Sequence, residues 1–365
     1  MRIKKILALV LCTVLAVLAL ASCEDQVGSY LPNYDWKPEV VEKKTFDLYI
    51  ITDSNTDEIE DTVFITVQDK INQYIGDKYN TKLDIHYLTA DEYDAAIASV
   101  TATGGANSGI VLINSKALAD SLMENNSLAD LSSFLDSEEY DFGTLNVQIN
   151  ANLLAAARED NDALFCIPNN HVVGNYEYIA INKNIARDQL HFNETALKAL
   201  DNLDDIAEFE AYVATTEFDV GEVVKRYEGA ESRPYSFAEK TELEAEGWMF
   251  NVITNPQVTK DEVYSSAFGV LSGTDNYERA MEIIYAINTD TVLRHLLQYG
   301  VENTNYKAVD GYAEPITTDY KMNINYTGDV FKALYSNTEG WCVWTETDAA
   351  NGKLQNADSV VADSE

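Results

Sequence analysis

Phe46-Asp47-Leu48-Tyr49-Ile50-Ile51, closed by Thr52-Asp53-Ser54-Asn55, is the stretch on which the fold turns. Aromatic and β-branched residues make it a strand, and the polar cluster after it suits a loop or a helix start. Working outward, Val63, Val67, Ile71, Tyr74 and Ile75 recur at helical spacing as far as Tyr79. Leu83 to Leu88 alternates like a second strand, and Asp91 is expected to cap a helix over Glu92–Thr101. Gly109 to Ile113 is a short apolar run of the kind buried in a parallel sheet, and a further helix is expected over Lys116–Glu124. Strand, helix, strand, helix, strand, helix points to an α/β sheet with right-handed crossovers.

A second unit begins with Ala163 to Pro168 and Tyr176 to Lys183, read as a strand pair interrupted by Asn169-Asn170-His171. Helical, acidic sequence follows over Asn193–Thr216, then strands at Gly247–Ile253 and Ala267–Leu271. A long helix is expected from Asp275 through Asn288, and another from an Asp290 cap to Tyr299, stopped by Gly300.

The N-terminus carries an address. Arg2, Lys4 and Lys5 precede an apolar run from Ile6 to Ala21, closed by Leu20-Ala21-Ser22-Cys23. A charged start, a short apolar stretch and small residues at its end describe a secretory signal peptide, and the run is too short for a membrane span. The tetrapeptide resembles the lipobox of bacterial lipoproteins, which implies cleavage before Cys23, lipidation of that cysteine and a membrane anchor at the extracytoplasmic face. Residues 24–44, with Gly28, Pro32 and Pro38, read as a tether.

The 365 residues carry a formal charge of −36, which becomes −39 when the three cations of residues 1–22 leave. Such a surface disfavours nucleic acid and anionic lipid head groups, since phosphate recognition needs a basic patch. About 340 mature residues exceed a single core, so two globular lobes are expected. Cys12 leaves with the leader, and Cys166 and Cys342 remain as either a disulfide or two small buried hydrophobes.

Three stretches resemble the extracellular solute-binding proteins of ABC importers, of the sugar-binding type found as Gram-positive lipoproteins. They are Ala163–Pro168 with Tyr178-Ile179-Ala180-Ile181-Asn182-Lys183, Phe268–Leu271 with Tyr277–Ile284, and Asn288-Thr289-Asp290 with Leu296–Glu302. The resemblance implies a two-lobed periplasmic-binding-protein-like fold, with α/β lobes joined by a multi-strand hinge at crossings near Cys166, Ala267 and Ala308. Residues 45–166 plus 267–308 would form one lobe, and 167–266 plus 309–365 the other. It also implies a monomer that captures a small solute, a sugar for preference, and delivers it to ABC permease subunits. One departure is the acidic, apolar-poor segment 217–246, where such proteins often place ligand-contacting helices.

Ligands of α/β sheets sit beyond the carboxyl ends of strands. Asp53, Ser54 and Asn55 after the first strand are therefore binding candidates, with helix capping as their structural role. Asn114 and Ser115 after the third strand are candidates on the same ground. Asn169, Asn170, His171 and Tyr176 are candidates from the expected second lobe, because amides and aromatic rings suit sugar hydroxyls and ring faces. Trp341 and Trp344, three apart, are expected to share a helix face as a stacking platform or as core aromatics. No catalytic set, metal site or cofactor is expected. The four histidines make no i, i+4 pair, and Asp53–Asp57 begins like a calcium loop but has Glu58 and Phe64 where glycine and glutamate belong. The competing function is a surface lipoprotein of the same fold that senses or interacts without transport.

Overall fold

A computed structural model describes residues 42–54, 62–102, 108–135, 149–228, 242–336 and 344–362. All but Glu42 belong to one unit, Lys43–Glu365. Strand β1 (Lys44–Ile51) is followed by helix α1 (Thr62–Tyr79), β2 (Thr81–Leu88), α2 (Ala90–Thr101), β3 (Ile110–Ile113) and α3 (Lys116–Glu124). This is the expected βαβαβα order, with boundaries shifted by one or two residues. Helix α2 begins two residues earlier than Asp91 implied, because Thr89, not Asp91, is the cap and forms a capping box with Glu92.

These strands build a five-stranded sheet in the order β2-β1-β3-β9-β4, with β4 at Cys166–Pro168 and β9 at Ala267–Val270. β1 is parallel to β2 and β3, while β9 is antiparallel to both β3 and β4. All four side chains of β3 are buried, as a central strand covered on both faces requires.

The chain leaves this sheet after Pro168 and enters a second one, β6-β5-β7, formed by β5 (Glu177–Asn182), β6 (Val224–Tyr227) and β7 (Trp248–Thr254). The expected pairing of Ala163–Pro168 with Tyr176–Lys183 is corrected here. β4 hydrogen-bonds to β9 and β5 to β6 and β7, so the two segments lie in different sheets. One face of the small sheet (Ile179, Ile181) packs on Ile206, Phe209 and Val213 of α4 (Leu203–Val213). This core is separate from the larger one under β1, β3 and β9. The helical stretch expected over 193–216 is broken into Glu194–Lys198 and α4, each started by an asparagine cap, Asn193 and Asn202.

Return to the large sheet runs through β8 (Gln257–Val258) and α5 (Lys260–Tyr264) into β9. Then α6 (Tyr277–Thr289) and α7 (Thr291–Tyr299) follow, with Asn276 rather than Asp275 capping the first. Asp290 caps the second and Gly300 ends it at φ 81°, as read from the sequence. A hairpin of β10 (Tyr306–Val309) and β11 (Tyr312–Pro315) leads towards the C-terminal helix α8 (Glu346–Asp358) and β12 (Val360–Val361), which pairs with β8. Cys166 is a free, fully buried thiol, pushed up to about 12 by desolvation; Cys342 lies outside the described residues.

Candidate functional site

β1, β3 and β4 all point the same way, so their carboxyl ends form one edge of the large sheet. Asp53-Ser54, Asn114-Ser115 and Asn169-Asn170 emerge there. The sequence placed Asn169–His171 in a facing lobe; the structure puts the residue after β4 on the same sheet edge as the residues after β1.

That edge is roofed by the segment around Lys321–Asn325. Ser54 Oγ accepts from the Lys321 amide at 2.7 Å, and the Asp53 amide and the Thr52 hydroxyl both donate to the Lys321 carbonyl at 3.0 Å. Asn169, fully buried, donates through Nδ2 to Ser266 Oγ at 3.0 Å, and Ser266 Oγ donates in turn to the Asn325 carbonyl. Ser115 caps α3 by accepting from the Leu118 amide. Asn114 keeps a buried Oδ1 without a hydrogen-bond partner. Tyr176 donates its hydroxyl to Asp358 at 2.7 Å. Asn55, Trp341 and Cys23 lie outside the described residues.

Immediately beyond the roof the chain opens onto a cavity of about 550 Å³. Its walls are Asn150–Asn152 at the start of a short helix (Ala151–Ala157), Asn170, the turn Asp329–Lys332, and Lys353, Asn356 and Ala357 of α8. Gly328 sets the turn: its φ is 113°, and a Cβ there would run into the Ile287 carbonyl of α6. Asp329 is 2% exposed and accepts from the Phe331 amide at 2.8 Å. Burial raises its carboxyl above the usual range, against the opposing pull of Lys332, whose Nζ stands 3.7 Å away. Burial lowers the Lys332 ammonium in the same environment. Burial thus works against both charges, while Lys332 and the Phe331 amide offset part of that cost at Asp329.

Phe331 gives the cavity an aromatic wall. Lys353 Nζ lies 5.5 Å from its ring centroid, and Trp344 meets it edge-on with centroids 6.4 Å apart. Trp344 therefore backs the site, but through an isolated bridge to Ser336 rather than from a helix face as its spacing with Trp341 suggested. Asn170 ties the walls together: its Oδ1 accepts from the Asn150 amide at 3.2 Å and its carbonyl from the Val330 amide at 3.1 Å. A buried carboxylate, an ammonium, amides and one ring face form a surface for hydroxyl-rich solutes. Of the sequence candidates among the described residues, only Asn170 lines this cavity. Asp329, Phe331, Lys332 and Lys353 were missed; Gly328-Asp329 carried the local signal, a turn glycine before a carboxylate.

No known family profile matches the chain, and no curated protein does. Among solved structures it resembles the N-glycan transport solute-binding protein NgtS of Streptococcus pneumoniae. With that protein bound to Man1GlcNAc the identity is 15%, with 87% of this chain and 84% of the other aligned and a TM-score of 0.53. With its Man5GlcNAc complex the identity is again 15%, over 87% and 83% of the two chains, with a TM-score of 0.54. This chain has the two-lobed solute-binding-protein fold. The five-stranded and the three-stranded sheets each have an apolar core of their own.

Within this solute-binding-protein fold one histidine does meet a hydroxyl. His171 Nε2 is 3.4 Å from Ser265 Oγ and 3.8 Å from Glu262, while Nδ1 donates to the Asn169 carbonyl at 2.7 Å. The order imitates a nucleophile, a base and an orienting group. Ser265, however, donates to the Glu262 carbonyl at 2.8 Å, and the 3.4 Å separation exceeds nucleophile–base contact. His171 is 1% exposed and does not line the cavity. The trio is a polar joint between the segment after β4 and α5.

Proposed function

We propose that the protein captures an extracellular carbohydrate in the Asp329–Phe331–Lys353 cavity and passes it to the membrane subunits of an ABC-type permease. The observation that carries this reading is the cavity itself: a buried carboxylate, a lysine and an aromatic wall on a fold whose solved relative binds mannose-containing glycans. A ligand that binds the closed arrangement of the lobes better than the open one shifts the hinge equilibrium, and no covalent chemistry is required. In this reading the chain is a lipid-anchored monomer on the extracytoplasmic face, held by acylated Cys23.

The test is a thermal-shift and calorimetric screen of oligosaccharides, with peptides and polyamines as competitors. A bound sugar at 100 times its dissociation constant adds about 2.7 kcal/mol of stability. Asp329→Asn is expected to weaken that sugar about 10- to 100-fold, the worth of a hydrogen bond to a charged group. Absence of a stabilising carbohydrate, or undiminished binding by the variant, refutes the proposal. The alternative of a sensing or interaction module draws on one observation. Asn150 and Asn356, two of the cavity amides, are already spent on helix capping and on the segment after β4.

A further inference from the structure

We infer that the outer face of β1 and β2 carries a site for one divalent transition-metal ion, held by Asp47, Asp84 and His86. β1 and β2 are parallel and in register along eight residues, so Asp47 lies opposite Asp84 and Tyr49 opposite His86. Alternation sends Phe46, Leu48, Leu83 and Ile85 into the core and these four side chains to the other face. One donor atom from each of Asp47, Asp84 and His86 falls within 4.8 Å of the others. None of the three lines the sugar cavity.

Two features argue for a cation rather than a solvated acidic face. Like charges directly opposite on neighbouring strands are destabilising, yet the register fixes two carboxylates there. A third donor, an imidazole, is then held against them. His86 Nε2 is 2.8 Å from Asp47 Oδ1, and its ring stacks on Tyr49 with centroids 4.5 Å apart and planes 10° from parallel. His86 and Asp47 stand at hydrogen-bond distance, so an entering ion displaces their shared proton and draws both atoms, with an Asp84 oxygen, onto itself. Mixed imidazole and carboxylate donors suit zinc, manganese, cobalt or nickel, with water completing the shell. β2 is the edge of the sheet, so an ion bridging it to β1 would clip that edge in place.

The experiment uses the untagged chain, stripped with a chelator and titrated calorimetrically with zinc chloride, with calcium chloride alongside. Saturable binding of one zinc ion per chain is expected, with a rise in melting temperature and calcium the weaker ligand. His86→Ala and Asp84→Asn are each expected to weaken zinc at least about tenfold, as loss of even an outer-shell partner does. The metal-free melting temperature should not fall appreciably in either variant, because the Asp47–His86 pair is surface-exposed and Asp84→Asn removes a like-charge contact. No saturable binding, or zinc held equally by both variants, overturns the assignment and leaves only a diffuse acidic surface.

Discussion

His295 shows how one side chain can carry a pH dependence. Its Nε2 accepts from the Leu334 amide at 3.0 Å, which requires a neutral ring, and burial beside Arg294 depresses its pKa from 6.5 to about 4. A depressed histidine binds fewer protons folded than unfolded, so its stabilisation is complete above pH 6.5 and drains away as pH falls towards 4. At about 1.4 kcal/mol per pH unit, discounted for a ring that is partly solvated, roughly 2 kcal/mol is at stake. His295→Gln keeps an acceptor for Leu334 without a titrating group. The stability gap between wild type and variant, measured by urea unfolding, should narrow by about that amount between pH 7 and pH 4.5. A gap independent of pH would contradict the assignment. Residue-scale chemistry of this kind was not legible in the sequence, where His295 is one of four histidines without a pattern.

At the scale of elements, α8 is the instructive case. Its buried residues are Ala349, Asn351, Gly352, Gln355 and Asn356, while Leu354 is 62% exposed. Hydrophobic periodicity cannot find such a helix, because it is docked by amides instead of by an apolar stripe. Gln355 Nε2 donates to the Val173 and Gly174 carbonyls at 2.9 and 2.8 Å. Asn356 accepts from the Val173 amide at 3.0 Å and donates to the His171 carbonyl at 2.7 Å. Gly352 lets the helix approach Val172. Asn356→Ala would leave buried backbone groups unsatisfied, costing about 1–3 kcal/mol. Faster hydrogen exchange at the Val173 amide is expected in that variant, and unchanged protection there would show that the Asn356 amide does not hold the helix. By contrast α7 was fully legible, since an aspartate cap, a periodic apolar face and a stop glycine are all local signals.

For the molecule as a whole, the charge of −36 disfavours polyanionic partners. If Cys23 is the acylated residue, Cys23→Ala should abolish incorporation of a labelled fatty acid and release the chain from the membrane fraction. Lipid supplies roughly 0.8 kcal/mol per buried methylene, so loss of the acyl chains should move most of the protein. Label retained at the wild-type level would exclude that anchor.

Local signals in this sequence were enough for the order of strands and helices from Lys44 to Ile113, the Asp290 and Gly300 boundaries, the acidic surface and the two-lobed class. Periodicity, caps and composition act over a few residues, and they read true wherever an element is stabilised by its own amphipathic face. The tertiary structure alone decided that β4 joins the β1 sheet rather than pairing with β5, because strand partners are chosen by long-range packing. It also decided what the carboxyl edge of the sheet leaves open. Asp53, Ser54 and Asn169 stand at the carboxyl edge where a ligand was expected, but a segment 150 residues or more away in sequence lies across them. The open cavity is displaced to a turn held by Gly328 against α6, a contact that no pattern within the turn itself could reveal.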